Sequence, residues 1–480
     1  MRGHNQYLYD ELGNEYLDCI NNVAHVGHAN PKVAAAVGEQ MQVLNTNARF
    51  LHDNLCTYAQ RLCNTMPSHL SVCYLVNSGS EANDLAIRLA RAHTKRTDIV
   101  CVDGAYHGNL SSTMSISPFK THKLPASGRA PHWADWAHVA PMPCAYRGEF
   151  ATTKTTTTTT ASNEQQVGRL YAQASRALIQ QVHASGRKVA AMFVESMISC
   201  GGQFPLPSNY LRHLQQYLHE NGSLLVCDEV QTGFGRCGKS MWAFQMDGDD
   251  IKPDIVTLGK PMGNGFPVAA VVTTSEIAQS FKSIGTDYFN TFGGNPVSCA
   301  AAIAVLDELR DKRLQRHADL VGSFLMDQLE RLKCDYPNLI GDVRGAGFFI
   351  GCEIVSNGET REPSPKSADY IVRRLRDERI LMSTEGKLGN VLKFKPPMVF
   401  TMDNARLLLQ VLERTLKELA ESGPIEDDDD DDGNNDAKLK LTSTRQNSDL
   451  NSDASSGCSS TISSASSSAS WLESSSEQEL

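Results

Sequence analysis

Between residues 70 and 273 the chain repeatedly alternates short apolar runs with stretches of helical period, and most runs end on a small or polar cluster. Residues 70–76 run into Asn77-Ser78-Gly79-Ser80, and a helical period follows over 81–93. Residues 98–102 end at Asp103-Gly104-Ala105-Tyr106-His107-Gly108, and 189–195 lead to a loop holding Gly201-Gly202. A helix over 210–221 precedes the run 223–228, which ends in Asp228-Glu229; 254–258 ends in Gly259-Lys260, and 268–273 reads as one more strand. This alternation predicts a largely parallel α/β sheet. Ligands of such sheets bind beyond the carboxyl ends of the strands. Past residue 305 the pattern changes to helices over 301–310 and 320–332 and strands over 348–354 and 391–395. The expected division is an N-terminal segment, 1–44, a large domain, 45–305, and a smaller α+β domain, 306–420.

Charge separates off the remainder. The formal net charge is −10, yet residues 421–480 alone hold 14 acidic and 3 basic side chains, so residues 1–420 are close to neutral. A near-neutral body lacks the basic face that nucleic acid requires. The acidic run 426–432 and the serine-rich stretch beyond it cannot bury enough apolar surface to order, so 421–480 reads as a disordered tail. The threonine run near 151–162 reads as a surface-loop insertion. No apolar run approaches the ~18 residues of a membrane span. The 13 scattered cysteines form no paired clusters and read as the reduced thiols of an intracellular protein.

Four features converge on the strand ends. Ser78-Gly79-Ser80-Glu81 stands between a strand and a helix, where free amides suit a phosphate; a plain serine N-cap is the alternative. Asp228 ends a buried strand, where a carboxylate stays ionised only beside a cation: a pyridinium nitrogen, a metal or an arginine. Lys260 ends an apolar strand ahead of Gly263 and Gly265. A half-buried amine there is a nucleophile able to form a Schiff base, unless the side chain merely snorkels to water. Tyr106 beside Gly108 is placed to stack on a flat ring, or else belongs to the core. A phosphate cradle, a stacking ring, a carboxylate and a reactive lysine are together the parts that pyridoxal phosphate needs.

At this point Asn77-Ser78-Gly79-Ser80-Glu81-Ala82-Asn83, Asp228-Glu229-Val230-Gln231-Thr232-Gly233-Phe234-Gly235-Arg236, Gly259-Lys260 and Thr291-Phe292-Gly293-Gly294-Asn295-Pro296 resemble the class III pyridoxal-phosphate aminotransferases, over about residues 5–418. Arg344-Gly345-Ala346-Gly347 fits that family's small domain. Asp18-Cys19-Ile20-Asn21-Asn22-Val23-Ala24-His25-Val26-Gly27-His28, Leu44-Asn45-Thr46-Asn47 and Lys393-Phe394-Lys395-Pro396-Pro397 resemble its phospho-lyase branch, also called alanine–glyoxylate aminotransferase 2-like.

The resemblance implies a fold-type I enzyme, with a large, mostly parallel seven-stranded sheet domain and a smaller α+β domain. It implies a homodimer or a tetramer, with no nucleic-acid or membrane partner. Lys260 would bond the cofactor aldehyde and move protons, and Asp228 would pair with the ring nitrogen. Gly79 and Ser80 would hold the phosphate, helped by Thr291 from a partner subunit. Tyr106 and His107 would lie against the ring, Gln231 would reach its hydroxyl, and Glu195 would lie close by. Members of the branch eliminate phosphate and ammonia from O-phosphoethanolamine or 5-phosphohydroxy-lysine and leave an aldehyde.

Lys393 stands where ordinary class III transaminases carry an arginine that clasps a substrate carboxylate. Lysine lacks that bidentate fork, which favours a phosphorylated amine as substrate and Lys393 as a candidate substrate contact. Against the branch pattern, Thr232, Phe266 and Asn109 replace its usual Val, His and His. An ω-aminotransferase of alanine–glyoxylate type and a catalytically impaired homologue therefore stay open as alternatives. The chain begins later than family members do, and the expected compartment is mitochondrial by resemblance or else cytoplasmic.

Overall fold

The chain starts on three short strands, β1 (Arg2–His4), β2 (Tyr7–Tyr9) and β3 (Glu15–Asp18), in a computed structural model that describes residues 1–120, 134–151, 161–285, 287–423 and 425. The alternating region then supplies β4 (Val72–Val76), β5 (Asp98–Val102), β6 (Ala137–Ala140) and β7 (Val189–Glu195). A two-stranded hairpin, β8 (Met197–Ile198) with β9 (Phe204–Pro205), precedes β10 (Leu224–Asp228), β11 (Ile255–Leu258) and β12 (Ala269–Thr273). Seven of these form one sheet in the order β4-β12-β11-β10-β7-β5-β6. Only β12 runs antiparallel to its neighbours, so the sheet is mostly parallel, as expected. Every residue of β5, β7, β10, β11 and β12 is buried. Burial on both faces is why these strands read as unbroken apolar runs.

The carboxyl ends of β4, β5, β7, β10 and β11 open on one edge. In register, Asp228 on β10 stands beside Glu195 on β7 and Thr257 on β11. The helix Gly79–Thr94 leaves β4 at that edge, capped by the Ser78 side chain, which accepts from Glu81 N at 3.2 Å. Two glycines permit the close approach there. A Cβ on Gly79 would come within 2.8 Å of Val230 Cγ1, and one on Gly108, at φ +131°, within 2.6 Å of Ser80 Oγ.

A second sheet follows, with β13 (Ile340–Ala346), β14 (Phe349–Asn357), β15 (Glu362–Pro363), β17 (Ser383–Glu385) and β18 (Val391–Phe394). Between β15 and β17, β16 (Ile380–Leu381) instead pairs in parallel with β3, joining the chain's start to its later half. Backbone bonds from Lys395 N to Cys19 O and from Met398 N to His25 O, each 2.8 Å, reinforce that junction. The long helix Ala161–Ala184, the strand β6 and the three opening strands were not anticipated from the sequence. The threonine run and the acidic tail lie outside the described residues, apart from their margins. No helix among the described residues is long and apolar enough to cross a membrane, and their cysteines are all free thiols.

The junction carries a buried cation with no carboxylate in ion-pair contact among the described residues. Arg236 donates to Pro396 O at 2.8 Å and Phe348 O at 3.3 Å, and through Nη2 to His25 Nδ1 at 3.1 Å. His25 must therefore be neutral, its proton on Nε2 facing Phe234 O at 2.9 Å. Burial, and then the Arg236 charge, hold the imidazole well below its ordinary range. An unfolded histidine titrates near 6.5. Below that pH the unfolded chain binds more protons than the folded one, so this site loses stability as pH falls. Replacing His25 by Leu leaves a guanidinium N–H buried and unpaired. The expected cost is about 1–3 kcal/mol at pH 7.5, with a shallower loss of stability between pH 7 and 5. Urea melts at both pH values check the two effects.

Candidate active site

At the shared edge lies a cavity of about 130 Å³, lined by Gly79, Ser80, Asn83, Tyr106, His107, Gly108, Glu195, Asp228, Val230, Gln231 and Lys260. It therefore brings together all of the sequence-selected site residues except Thr291 and Lys393. A cavity of roughly 150 Å³ accepts a benzene-sized ring.

Asp228 is the floor of this cavity. Its Oδ2 accepts from His107 Nδ1 and from Asn83 Nδ2, both at 2.8 Å, and its Oδ1 accepts from Val230 N at 3.0 Å. Asn83 is oriented in turn: Thr257 Oγ1 donates to its Oδ1 at 2.8 Å, and its own Nδ2 also reaches His107 O at 2.9 Å. Burial raises the Asp228 pKa, but these donors and the His107 charge outweigh it and hold the carboxyl below its ordinary value. Glu195 goes the opposite way. Among the described residues its oxygens accept from Tyr106 N at 2.9 Å and Ser199 N at 3.1 Å, and burial pushes it up to about 7. Two neighbouring carboxyls are thus driven apart by their surroundings, the arrangement that acid–base sites use.

Lys260, two residues past the end of β11, lines the same cavity and is half-buried. Ser80 Oγ accepts from Asn109 N at 3.1 Å, which ties the helix start to the loop after β5. Gln231 has its Oε1 held by Asn22 Nδ2 at 3.0 Å and by Lys395 Nζ at 2.9 Å. Lys395, at 2% exposure, also donates to Ser199 Oγ at 2.5 Å and lies 4.7 Å over the Phe349 ring. Burial, and then the charge of Lys393, push its amine down to about 7.

Residues 1–416 match the sequence profile of the family Aminotransferase class-III. The chain belongs to this family. It is 48% identical over 406 residues to a Drosophila melanogaster protein named alanine–glyoxylate aminotransferase 2-like, covering 84% of this chain and 79% of that protein. Over 419 residues it is 41% identical to an ethanolamine-phosphate phospho-lyase homolog of Caenorhabditis elegans, covering 86% and 87% of the two chains. Among solved structures, a phospholyase from Arthrobacter in complex with phosphoethanolamine superposes with a TM-score of 0.79 at 35% identity, over 87% of this chain and 94% of that one. As in the rest of the family, the cofactor is pyridoxal phosphate.

Two sequence-selected residues lie outside the cavity. Thr291 is exposed, and Lys393, on β18, is ion-paired with Glu385 at 2.5 Å. Of the departures from the branch pattern, Thr232 is fully buried and donates to Glu229 Oε2 at 2.7 Å, so its hydroxyl is committed away from the cavity. Phe266 packs against the main core, and Asn109 is exposed. The sequence reading gave no role to Asn83, Asn22 or Lys395. Asn83 could have been found as the one polar side chain on the otherwise apolar buried face of its helix. Lys395 carried the same signal as Lys260, a lysine ending an apolar strand.

Removing the Asp228 charge tests the floor. Asp228→Asn is expected to weaken pyridoxal phosphate binding by about tenfold or more, the worth of a charged hydrogen bond. His107→Phe removes one donor and its electrostatic pull but leaves Asn83 and Val230 N in place, so its effect is smaller and largest at the acid end, where the carboxyl takes up its proton. Equilibrium dialysis at pH 5.5 and pH 8 separates the two.

Proposed function

We propose that this chain is a phospho-lyase that eliminates phosphate and ammonia from a phosphorylated primary amine, O-phosphoethanolamine or 5-phosphohydroxy-lysine, and leaves an aldehyde. The observation that carries this reading is the Lys393–Glu385 pair. At the position of the transaminase carboxylate clamp stands a lysine whose charge is already neutralised at 16% exposure. A substrate carboxylate finds no free bidentate cation there, whereas O-phosphoethanolamine, which has no carboxylate, loses nothing. The two relatives that carry phospho-lyase names support the same direction. Lys393 itself would reach a substrate phosphate only by releasing Glu385.

The cavity suits the cofactor. It has the volume of an aromatic ring, an ionised carboxylate at its floor, a helix start with small residues at one side and a lysine at the other. When bound, pyridoxal phosphate supplies the electron sink that allows a C–H proton and then a β-phosphate to leave. Asp228 Oδ2, kept charged by His107 and Asn83, would hold a proton at the ring nitrogen. Gly79 and Ser80, in the first turn of their helix, would hold the phosphate. Tyr106 would lie against the ring. Lys260 Nζ would hold the aldehyde end and serve as the base for the proton on the substrate carbon that bears nitrogen. One water enters for each aldehyde and ammonia released.

A homodimer completes the reading. Phe50, Leu51, Phe289 and Phe292 are 52–100% exposed around Thr291. Arg49 lies 4.9 Å over the Phe289 ring, so the two segments form one patch. A second copy covering this patch would carry Thr291 to its partner's phosphate.

Purified protein is expected to absorb in the visible range, and Lys260→Ala to lose that absorbance and all activity. Phosphate should appear from O-phosphoethanolamine with no keto acid present. Amino transfer to pyruvate or glyoxylate without phosphate release would sink the lyase reading. For the dimer, Phe289→Asp with Phe292→Asp is expected to halve the mass seen by light scattering and to weaken cofactor retention; an unchanged mass removes the patch from the interface.

A further inference from the structure

Two stretches far apart in the chain end on one atom of the cavity wall. Asn22 belongs to the opening segment and Lys395 to the chain just after β18, and both donate to Gln231 Oε1. Both stretches are among the three on which the resemblance to the phospho-lyase branch rests. Gln231 lines the cavity, and among the described residues its Nε2 has only the distant Cys200 Sγ, at 4.0 Å, as a partner.

An amide side chain is nearly symmetric in shape, so its oxygen and nitrogen ends can exchange by rotation. Asn22 and Gln231 alone could reverse together and keep their mutual hydrogen bond. The lysine removes that freedom. An ammonium has donors and no acceptor, and only an oxygen can face it. The neutral amine still has two N–H groups, which match its two acceptors, Ser199 Oγ and Gln231 Oε1. Lys395 makes no salt bridge among the described residues, and burying such a group is costly. These contacts are what its burial achieves.

We propose that Lys395 is a positioning residue that fixes the Gln231 amide, so that the cavity meets its N–H donor and never its carbonyl. The inference rests on the cofactor reading above. A fixed donor favours an anionic oxygen on the ring. A carbonyl turned inward would repel that oxygen and favour its protonated form.

The test is a double-mutant cycle on the holoenzyme: wild type, Lys395→Met, Gln231→Ala and the double variant. It reads the cofactor dissociation constant and the pH midpoint of the visible absorbance. Methionine keeps the buried stem without the donors. Lys395→Met is expected to weaken cofactor binding by about tenfold and to shift the midpoint. In the Gln231→Ala background the same change should do nothing further. Equal effects in the two backgrounds would overturn the proposal, because Lys395 would then act on something other than Gln231. Should Lys395→Met not fold, Asn22→Ala decides: with the ammonium still in place it must perturb the midpoint clearly less than Gln231→Ala, and an equal perturbation overturns the proposal. A wild type without visible absorbance would remove the cofactor reading and this inference together, whereas additive effects in a coloured wild type sink the inference alone.

Discussion

The site depends on keeping one carboxylate charged inside a sheet. Asp228 is buried, and an ionised carboxyl there is prohibitively costly unless donors replace its water. Three do so, each from a different element: His107 from the loop after β5, Asn83 from the helix after β4, and Val230 N from the turn after β10. A fourth element, β11, supplies Thr257 to hold Asn83. Strands distant in sequence must therefore be neighbours in the sheet before Asp228 can be an anion. The strand order is the precondition of the chemistry.

Glu195 shows what happens without that shell. It stands in register beside Asp228, on a strand of the same direction, and is equally buried. It accepts two backbone N–H groups and makes no salt bridge among the described residues, and burial, with the neighbouring Asp228 charge added against the opposing pull of His107, raises it to about 7. Of two adjacent buried carboxyls, the one with the richer donor shell is held charged and the other is pushed toward its neutral form. A metal would demand the reverse, both ionised, and no group of side chains suited to a metal occurs among the described residues.

The sheet and most of the cavity were legible because fully buried parallel strands announce themselves as apolar runs, and because each ends on a residue whose chemistry is out of place there. Asp228, Lys260 and the Ser78–Gly79–Ser80 turn each kept a structural alternative when taken alone and marked a site only together, with Tyr106. What stayed hidden depends on tertiary contact. The opening strands carry mixed, half-exposed residues, and their order comes from pairing with β16, more than 360 residues away. The helix Ala161–Ala184 follows the threonine run, which drew attention to composition instead of period. Asn83 and Asn22 are polar groups whose partners lie across the fold, and no spacing rule reveals them.

The three lysines around the site show where sequence reasoning on single residues stops. Lys260, Lys393 and Lys395 all stand at or beside the ends of apolar strands. The sequence reading chose Lys260 for the position and Lys393 for the family's arginine, and passed over Lys395. The strand end explains the outcome. Residue 393, on β18, sits opposite Ser383 of an edge strand that also carries Glu385, and 395 lies past the strand end, bonded through its N–H to Cys19 and against Phe349. One pairs with a carboxylate near water; the other donates to neutral oxygens, and burial drives it toward neutrality. Lysine is the side chain whose behaviour changes most with such surroundings. Its function has to be read from its neighbours, and those are fixed by the pairing of sheets.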